Sequence, residues 1–357
     1  MKIVGKILFY PLFLINAALA LLLMASGWSS FLFVKSFPVL SLMGMAFPAI
    51  LAANLAFLVL WLVFYRKALW LPLAALAVTI VPILEYTPLN FGKALANVNE
   101  SDIKLLSYNT FGFNMGVNKN GEATNPVLSY INRSGADIIC LQESNSAVLT
   151  RVMKNTKDFL PQMSYECDTE NMAILSKWPI LEWKEIIFKE SKNRSLYCRI
   201  LIGTDTMAVY NCHLQSFGLD QTEIDDYHKL IENPKNQESY DGSKSALRKL
   251  MNAGVTRAAQ ADTLAGMLSR ENSRYVILCG DFNDTPLSYS HRVFSRRLTD
   301  VYGKSGFGPG ISYNQNRLNF RIDHVFCNRN IKPVKCRVDS SIRESDHYPV
   351  ISYLRLQ

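Results

Sequence analysis

Residues 275–286 read YVILCGDFNDTP, and the interpretation of this stretch decides how the chain is organised. Tyr275 to Cys279 are five apolar or β-prone residues with the pattern of a buried strand. Gly280 interrupts them, and Asp281, Asn283 and Asp284 follow at once. In α/β proteins, ligands lie beyond the carboxyl ends of the strands. A Gly-Asp-x-Asn turn there presents a carboxylate beside a carboxamide, which suits a metal-bound phosphate. Gly, Asp and Asn are also ordinary turn formers, so the stretch by itself fits a plain strand–turn junction equally well.

Working outward, short β-like runs alternate with helical stretches from Asp102 onward. IKLLSYN (103–109), ADIICLQE (136–143), NMAILSKW (171–178), the runs near Ile186, 196–202 and 207–213, RIDHVFC (321–327) and 348–354 read as strands. Residues 126–133, 147–160 and 243–270 read as helices. This interleaving predicts an α/β or α+β domain with its own core over residues 102–357. The strands end in polar residues of metal- or phosphate-binding type: Asn109, Glu143, His213, then Asp281 with Asn283. Asp323 lies inside RIDHVF, and Ser345-Asp346-His347 precedes the final strand. Singly, each has a dull explanation: a turn residue, a charge at a helix start, a strand-end histidine. Their coincidence at successive strand ends favours a site.

In chain order, LSYNT, LQE, NMAILSKWPI, NCHL, GDFND, RIDHVF and SDHYPV resemble the endonuclease/exonuclease/phosphatase superfamily. That group includes pancreatic-type deoxyribonuclease, abasic-site endonucleases, inositol-polyphosphate 5-phosphatases and Mg2+-dependent neutral sphingomyelinases. The resemblance covers residues 102–357. It implies a four-layer sandwich, two packed mixed β-sheets flanked by helices, and metal-dependent phosphoester hydrolysis. Mg2+, with Mn2+ as the substitute, takes hard oxygen ligands and few carboxylates. The resemblance therefore makes Glu143 the main metal ligand, with Asn109 beside it and Asp346 contributing. It places Asp281 and Asn283 at the scissile phosphate, orienting water and stabilising developing charge. His347 becomes a general base or phosphate-contacting donor held by Asp323, and His213 a donor to phosphate or leaving group. Arg257, in RAAQAD, and Arg321 are candidate substrate contacts, with a solvated helix position the alternative for Arg257. His324 stands where many relatives carry Tyr or Phe and reads as packing, as does Trp178-Pro179. Ser345 reads as a turn residue. GKSGFGPG (303–310) lacks the spacing of a nucleotide-binding P-loop. The charged stretch between His213 and Arg257 is either a surface helical insertion or a substrate lid.

Residues 1–98 differ in kind. Of the chain's 38 basic and 30 acidic residues, six and one fall there, leaving a net charge of +3 on residues 99–357. The overall +8 is therefore mostly a property of the N-terminal segment and no signature of nucleic-acid binding. Residues 7–34 and 37–65 are nearly uncharged and long enough to cross a bilayer, and residues 68–84 are near the lower limit. They read as retained spans rather than a cleaved signal, whose apolar region is shorter. The expected layout is a membrane anchor of two to three transmembrane helices (1–86), a linker (87–101) and the catalytic domain (102–357). Lys2, Lys6 and Arg66-Lys67 on the inner side give an in–out–in–out path and an extracytoplasmic catalytic domain; if residues 68–84 only lie on the membrane surface, the domain is cytoplasmic instead. The odd count of seven cysteines, several in strand-like runs, reads as buried thiols and pulls mildly toward a reducing compartment. The expected partners are a phosphoester substrate (nucleic acid, or a phospholipid or phosphoinositide head group) and the bilayer through residues 7–84. No obligate protein partner is indicated. The rival from another class is a non-catalytic membrane-tethered binding module, against which the retention of Glu143, Asp281 and His347 argues.

Overall fold

The computed structural model describes residues 2–32, 34–94, 97–114, 125–155, 159–189, 191–218, 237–315 and 319–357. Twelve strands form two six-stranded mixed sheets. The first contains β1 (Ile103–Asn109), β2 (Ile138–Gln142), β3 (Tyr165–Thr169), β4 (Met172–Ser176), β11 (Ile331–Val338) and β12 (Val350–Leu356), in the order β11-β12-β1-β2-β4-β3. The second contains β5 (Ile180–Ile187), β6 (Arg194–Ile202), β7 (Asp205–His213), β8 (Tyr275–Asp281), β9 (Thr299–Asp300) and β10 (Asp323–Cys327), in the order β5-β6-β7-β8-β10-β9. The sheets face one another across a core that includes Leu105, Ile138, Ile174, Val209, Ile277, Val325 and Leu354. All seven cysteines are free and buried, as expected of single apolar thiols.

Each sheet has one parallel pair at its centre, β1 with β2 and β7 with β8. A parallel pair needs a crossover, and α6 (Pro126–Arg133) and α8 (Gln237–Leu268) lie on those connections. Helix α6 starts where the sequence dictates. The Asn125 side chain accepts from the Val127 and Leu128 amides at 2.9 and 3.1 Å, and Pro126 fills the first turn. Helix α7 (Ser146–Asn155) joins α6 over the first sheet, while α8 and α9 (Tyr289–Ser295) cover the second. These are the two packed mixed sheets flanked by helices that the family resemblance implies. Of the charged insertion, residues 219–236 lie outside the described residues.

The N-terminal segment is an antiparallel helical bundle. Helix α1 (Lys2–Gly27) packs against α2 (Leu40–Phe64), with the Phe9 ring 5.2 Å from Tyr65 and Trp61 Nε1 donating to Asn16 Oδ1 at 2.8 Å. Residues Phe9–Gly27 and Leu40–Phe64 are long and apolar enough to span a membrane. The third apolar run is broken rather than continuous: α3 (Trp70–Val78) and α4 (Ile80–Tyr86) meet at a 58° bend. Pro82 has no N–H for the Val78 carbonyl four residues earlier, and the Trp28 indole donates to that carbonyl at 3.2 Å instead. The broken pair nevertheless runs back along the bundle. Trp70 lies beside Phe13 near one end, and Tyr86 lies beside Phe47 near the other.

The bundle is docked on the sandwich, not hung from a free tether. Leu287, from the loop after β8, is buried in one cluster with Ala20, Leu23, Phe47, Ala75 and Tyr86. A Cβ on Gly44 of α2 would lie 2.9 Å from Thr285 Oγ1 and 3.0 Å from the Leu287 carbonyl oxygen, so glycine is what permits this approach. Lys35 pairs with Asp262 of α8 at 2.7 Å, and Arg321 Nη2 donates to the Glu85 carbonyl at 2.7 Å. In the stretch read as a linker, Asn90 Nδ2 donates to the carbonyls of Gly303 and Gly306 at 3.0 and 2.8 Å. Beyond it comes the short helix α5 (Phe91–Ala94).

Candidate active site

The site lies where central strands of both sheets end together. Beneath it, Gln142 Nε2 donates to Asn211 Oδ1 at 2.6 Å, and Asn211 Nδ2 donates to the carbonyls of Leu141 and Ala173 at 2.8 and 3.1 Å. This buried amide–amide bond ties one sheet to the other beneath the site. Gly280 brings β8 against β7. Its φ is +127°, and a Cβ there would meet the Cys212 carbonyl oxygen at 2.0 Å. His213 and Asp281 are therefore register partners across a close pair of strands.

Asp281 is the hub. It is buried, and its Oδ1 accepts from the Asn283 amide at 2.8 Å. Its Oδ2 accepts from Asn109 Nδ2 at 3.0 Å and lies 3.6 and 3.7 Å from the Nε2 atoms of His347 and His213. Asn109 Nδ2 also donates to Glu143 Oε1 at 3.1 Å, and His213 Nε2 lies 3.6 Å from that same oxygen. His347 Nδ1 is 2.8 Å from Asp323 Oδ2. Asn283 donates from Nδ2 to the Leu214 carbonyl at 3.2 Å. Two non-glycine site residues, Glu143 (φ 47°) and Asn283 (φ 50°), hold left-handed backbone, a conformation that aims side chains and costs free energy.

The electrostatics follow from burial and like charge. Burial raises the Asp281 pKa, and Asp323 adds to the rise while His347 and His213 oppose it. Burial disfavours charge on His347, but Asp323 and Asp281 outweigh it and raise the imidazole to about 10. His347 is thus held as a cation near neutrality, with Nδ1 on Asp323 and Nε2 facing Asp281. Asp346 is raised chiefly by burial, with Glu143 and Asp281 adding to it, which sets it in the field of the same cluster.

The sequence-derived set is therefore largely brought together: Asn109, Glu143, His213, Asp281, Asn283, Asp323 and His347 share one centre. Asn109 is turned differently from the expectation. Its oxygen accepts from the Phe111 amide at 3.2 Å, and its NH2 bridges the two carboxylates. Asp346 flanks the ligand atoms instead of joining them. Arg257 and Arg321 are not brought in. Arg257 is buried on α8, 3.3 Å from Asp284 and donating to the Gln215 carbonyl at 3.0 Å, so it ties the 213–217 and 281–284 loops from behind. Arg321 is buried over the Tyr302 ring and bonded to the bundle. His324 packs as expected, its Nε2 2.8 Å from the Asp284 carbonyl oxygen. Sequence reasoning missed Tyr313, whose ring lies edge-on 5.1 Å from His347, and Asn211 beneath the floor. NCHL already contains Asn211, and a polar residue inside an apolar strand was its only signal.

Among the described residues, two sets of ligand atoms each lie within 4.8 Å: Glu143, His213 and Asp281, and Asp281, Asp323 and His347. A divalent cation fits the first. Its carboxylates already share one NH2 donor, and His213 Nε2 is buried without a hydrogen-bond partner. A groove of about 730 Å³ opens from there, lined by Glu143, Asn145, Asn171, Trp183, Arg194 and His213 among others.

Two mixed sheets packed face to face, with an acidic and histidine cluster at their common end, define a phosphoesterase fold of the deoxyribonuclease-I-like class. The chain belongs to the endonuclease/exonuclease/phosphatase family, whose profile matches residues 106–347. Residues 6–86 match a domain of unknown function, DUF8431. No curated protein matches significantly. Solved structures similar to it include D. rerio TDP2 complexed with single strand DNA product, at 16% identity and TM-score 0.52, covering 72% of this chain and 100% of that one. The human Nocturnin catalytic domain with bound sulfate anion is also similar, at 14% identity and TM-score 0.50, covering 74% and 99%. At these identities the likeness speaks for the fold alone.

Proposed function

We propose that this chain is a membrane-anchored, Mg2+-dependent hydrolase of phosphoric esters, cleaving phosphodiester bonds in the manner of a nuclease, or phosphomonoesters, by attack of water. The observation that carries this reading is the convergence on Asp281 of Asn109 with Glu143 and of two histidines, one of them carboxylate-bound. When bound, the cation neutralises phosphate charge and lowers the pKa of water. Glu143 would be its main protein ligand, with Asp281 and His213 beside it and Asp346 flanking them. Asp281 Oδ2 orients the attacking water and takes its proton, which its raised pKa favours. His347, held protonated by Asp323, supports the donor role over the base role: Nε2–H stabilises charge on a phosphate oxygen. Asn283 positions the phosphate beside it. His213 serves the leaving oxygen from the groove side.

The helical bundle is read as two spans and a broken third, following the in–out–in–out path, with the sandwich outside the cytoplasm. The docking supports the three-pass path, because the sandwich meets the α1–α2 connection and the end of α4, and the basic residues Lys2, Lys6, Arg66 and Lys67 set the side. A second reading, hydrolysis of a phospholipid or phosphoinositide head group, gains support from Leu287, which buries the loop after Asp281 in the bundle. The test uses the full chain in detergent with Mg2+ or EDTA against plasmid DNA, RNA, sphingomyelin and phosphoinositides. Mg2+-dependent turnover of one class, abolished in His347→Ala, is expected. Absence of turnover on all four, or full activity in His347→Ala, refutes the mechanism.

A further inference from the structure

We infer that the sandwich is itself seated in the head-group layer of the bilayer, through an apolar collar around the foot of the bundle. The collar is Phe31, Leu32 and Phe37 from the α1–α2 connection, with Leu89, Phe91 and Phe307 from the sandwich side. All six are exposed, Phe91 at 67% and Phe37 at 64%. They lie in two groups, one on either side of the Arg292–Glu85 pair. The Arg292 guanidinium lies 3.6 Å over the Phe31 ring and 4.0 Å from Glu85, at the end of α4. Leu89 forms a β-bridge with Phe307, and the Phe91 and Phe307 rings are 4.8 Å apart. The Gly308 amide and the Asn90 side chain tie the same segments together, so these rings are presented by hydrogen-bonded backbone.

The occupant follows from continuity with the apolar helices. At the far end of the bundle, Tyr10, Phe64 and Trp70 are exposed and mark a second aromatic belt. From Tyr10 to Trp28 is 18 residues, roughly 27 Å at the helical rise, against a hydrocarbon core of ~30 Å. With the far belt in one interface, the collar falls at the level of the opposite head groups. Aromatic rings favour that layer, and a rim of this kind in water would be an exposed apolar patch without a partner.

The inference rests on reading the helices as spans, and the test separates the two. Single cysteines are placed at Phe91 and Phe307 (collar), Leu21 and Val59 (lipid-facing helix sides) and Leu181 (outer edge strand β5) of the full chain in phosphatidylcholine vesicles. The native thiols are all buried, so a nitroxide reagent reports the new sites. Accessibility to oxygen and to a water-soluble nickel chelate then gives depth. Expected is an oxygen-favoured, nickel-protected signal at 91 and 307, intermediate between 21 and 59 in the hydrocarbon and 181 in water. If 21 and 59 report hydrocarbon while 91 and 307 match 181, the anchor stands and the seat is overturned. If 91 and 307 are shielded from both reagents, a protein and not lipid covers them, which also overturns it. Water-like signals at 21 and 59 overturn the spans themselves.

Discussion

Replacing Gly44 with valine perturbs the active site from inside an apolar helix. A Cβ at this position meets Thr285 Oγ1 at 2.9 Å, the Leu287 carbonyl oxygen at 3.0 Å and the Leu287 carbonyl carbon at 3.2 Å. Ordinary contact between such atoms begins near ~3.5 Å, so alanine alone requires the loop to retreat by roughly half an ångström. The branched valine side chain adds methyl groups in the same direction, for a displacement on the order of 1 Å. Thr285 is two residues from Asn283, whose left-handed backbone is held by its amide bond to Asp281 Oδ1. The opposite face of the loop is closed by Arg257 on Asp284, so the shift is transmitted toward the hub. A misplacement of about 1 Å in catalytic geometry costs about 100-fold in rate. Gly44→Val is therefore expected to lower kcat about 100-fold and Gly44→Ala a few-fold, with KM nearly unchanged because the groove residues stay in place. The assay is Mg2+-dependent release of p-nitrophenol from bis(p-nitrophenyl) phosphate by the full chain in detergent, with thermal unfolding measured in parallel. Gly266→Ala is the control, since nothing lies within 4 Å of a Cβ there. A folded Gly44→Val protein with wild-type kcat refutes the coupling of bundle to site.

Glu143→Gln keeps the shape and the Asn109 contact but removes the charge that would hold the cation. Mg2+ titration by calorimetry should show affinity lowered at least ~10-fold, with activity falling and thermal unfolding unchanged. Gly280→Ala should destabilise the sandwich by more than ~3 kcal/mol, read by urea unfolding, since its Cβ would overlap the Cys212 carbonyl and its φ disfavours a side chain. Asp102 carries the pH dependence. Arg355 donates to it through Nε and Nη2 at 2.6 and 2.7 Å, and this pair holds its carboxyl below the usual range against the cost of burial. A depressed folded pKa stabilises above the unfolded value near ~3.9, and that stability is lost as pH falls through the folded value. Asp102→Asn should thus cost no more than ~1 kcal/mol at pH 7 once solvent screening is allowed for, with the difference from wild type shrinking as pH falls below the unfolded value; an unchanged difference would refute the assignment.

The parts of the fold that were legible are those fixed by local chemistry. Strand β1 and helix α6 have the boundaries expected from IKLLSYN and PVLSYINR, because Asn109 and the Asn125-Pro126 cap are written into the chain at their ends. The same logic made the site legible. Parallel strands at the sheet centres bring their carboxyl ends together, so polar residues placed there meet. What was not legible was burial of charge. Arg257 and Arg321 carry the charge a phosphate would want, yet each is used as a brace, and the sign lay in their neighbours. Ala253, Ala258 and Ala261 are buried around Arg257, so the helix face holding it packs inward. An arginine flanked by alanines at helical spacing is better read as a buried strut than as a ligand contact.

The docking of bundle on sandwich was hidden for a different reason. Leu287 and Gly44 each look ordinary locally, and their meaning arises only when segments more than 240 residues apart touch. Small residues in apolar helices mark close approach, and Gly44 is one, but the sequence does not say what approaches. Here it is the loop that begins at Asp281. A bundle that buries Leu287 and bonds Arg321, two residues before Asp323, reaches two of the strand ends that build the site. The β8–β10 ladder sets Asp281 opposite Asp323, and the N-terminal helices brace the segments on either side of it, so removing them should lower the thermal stability of the sandwich.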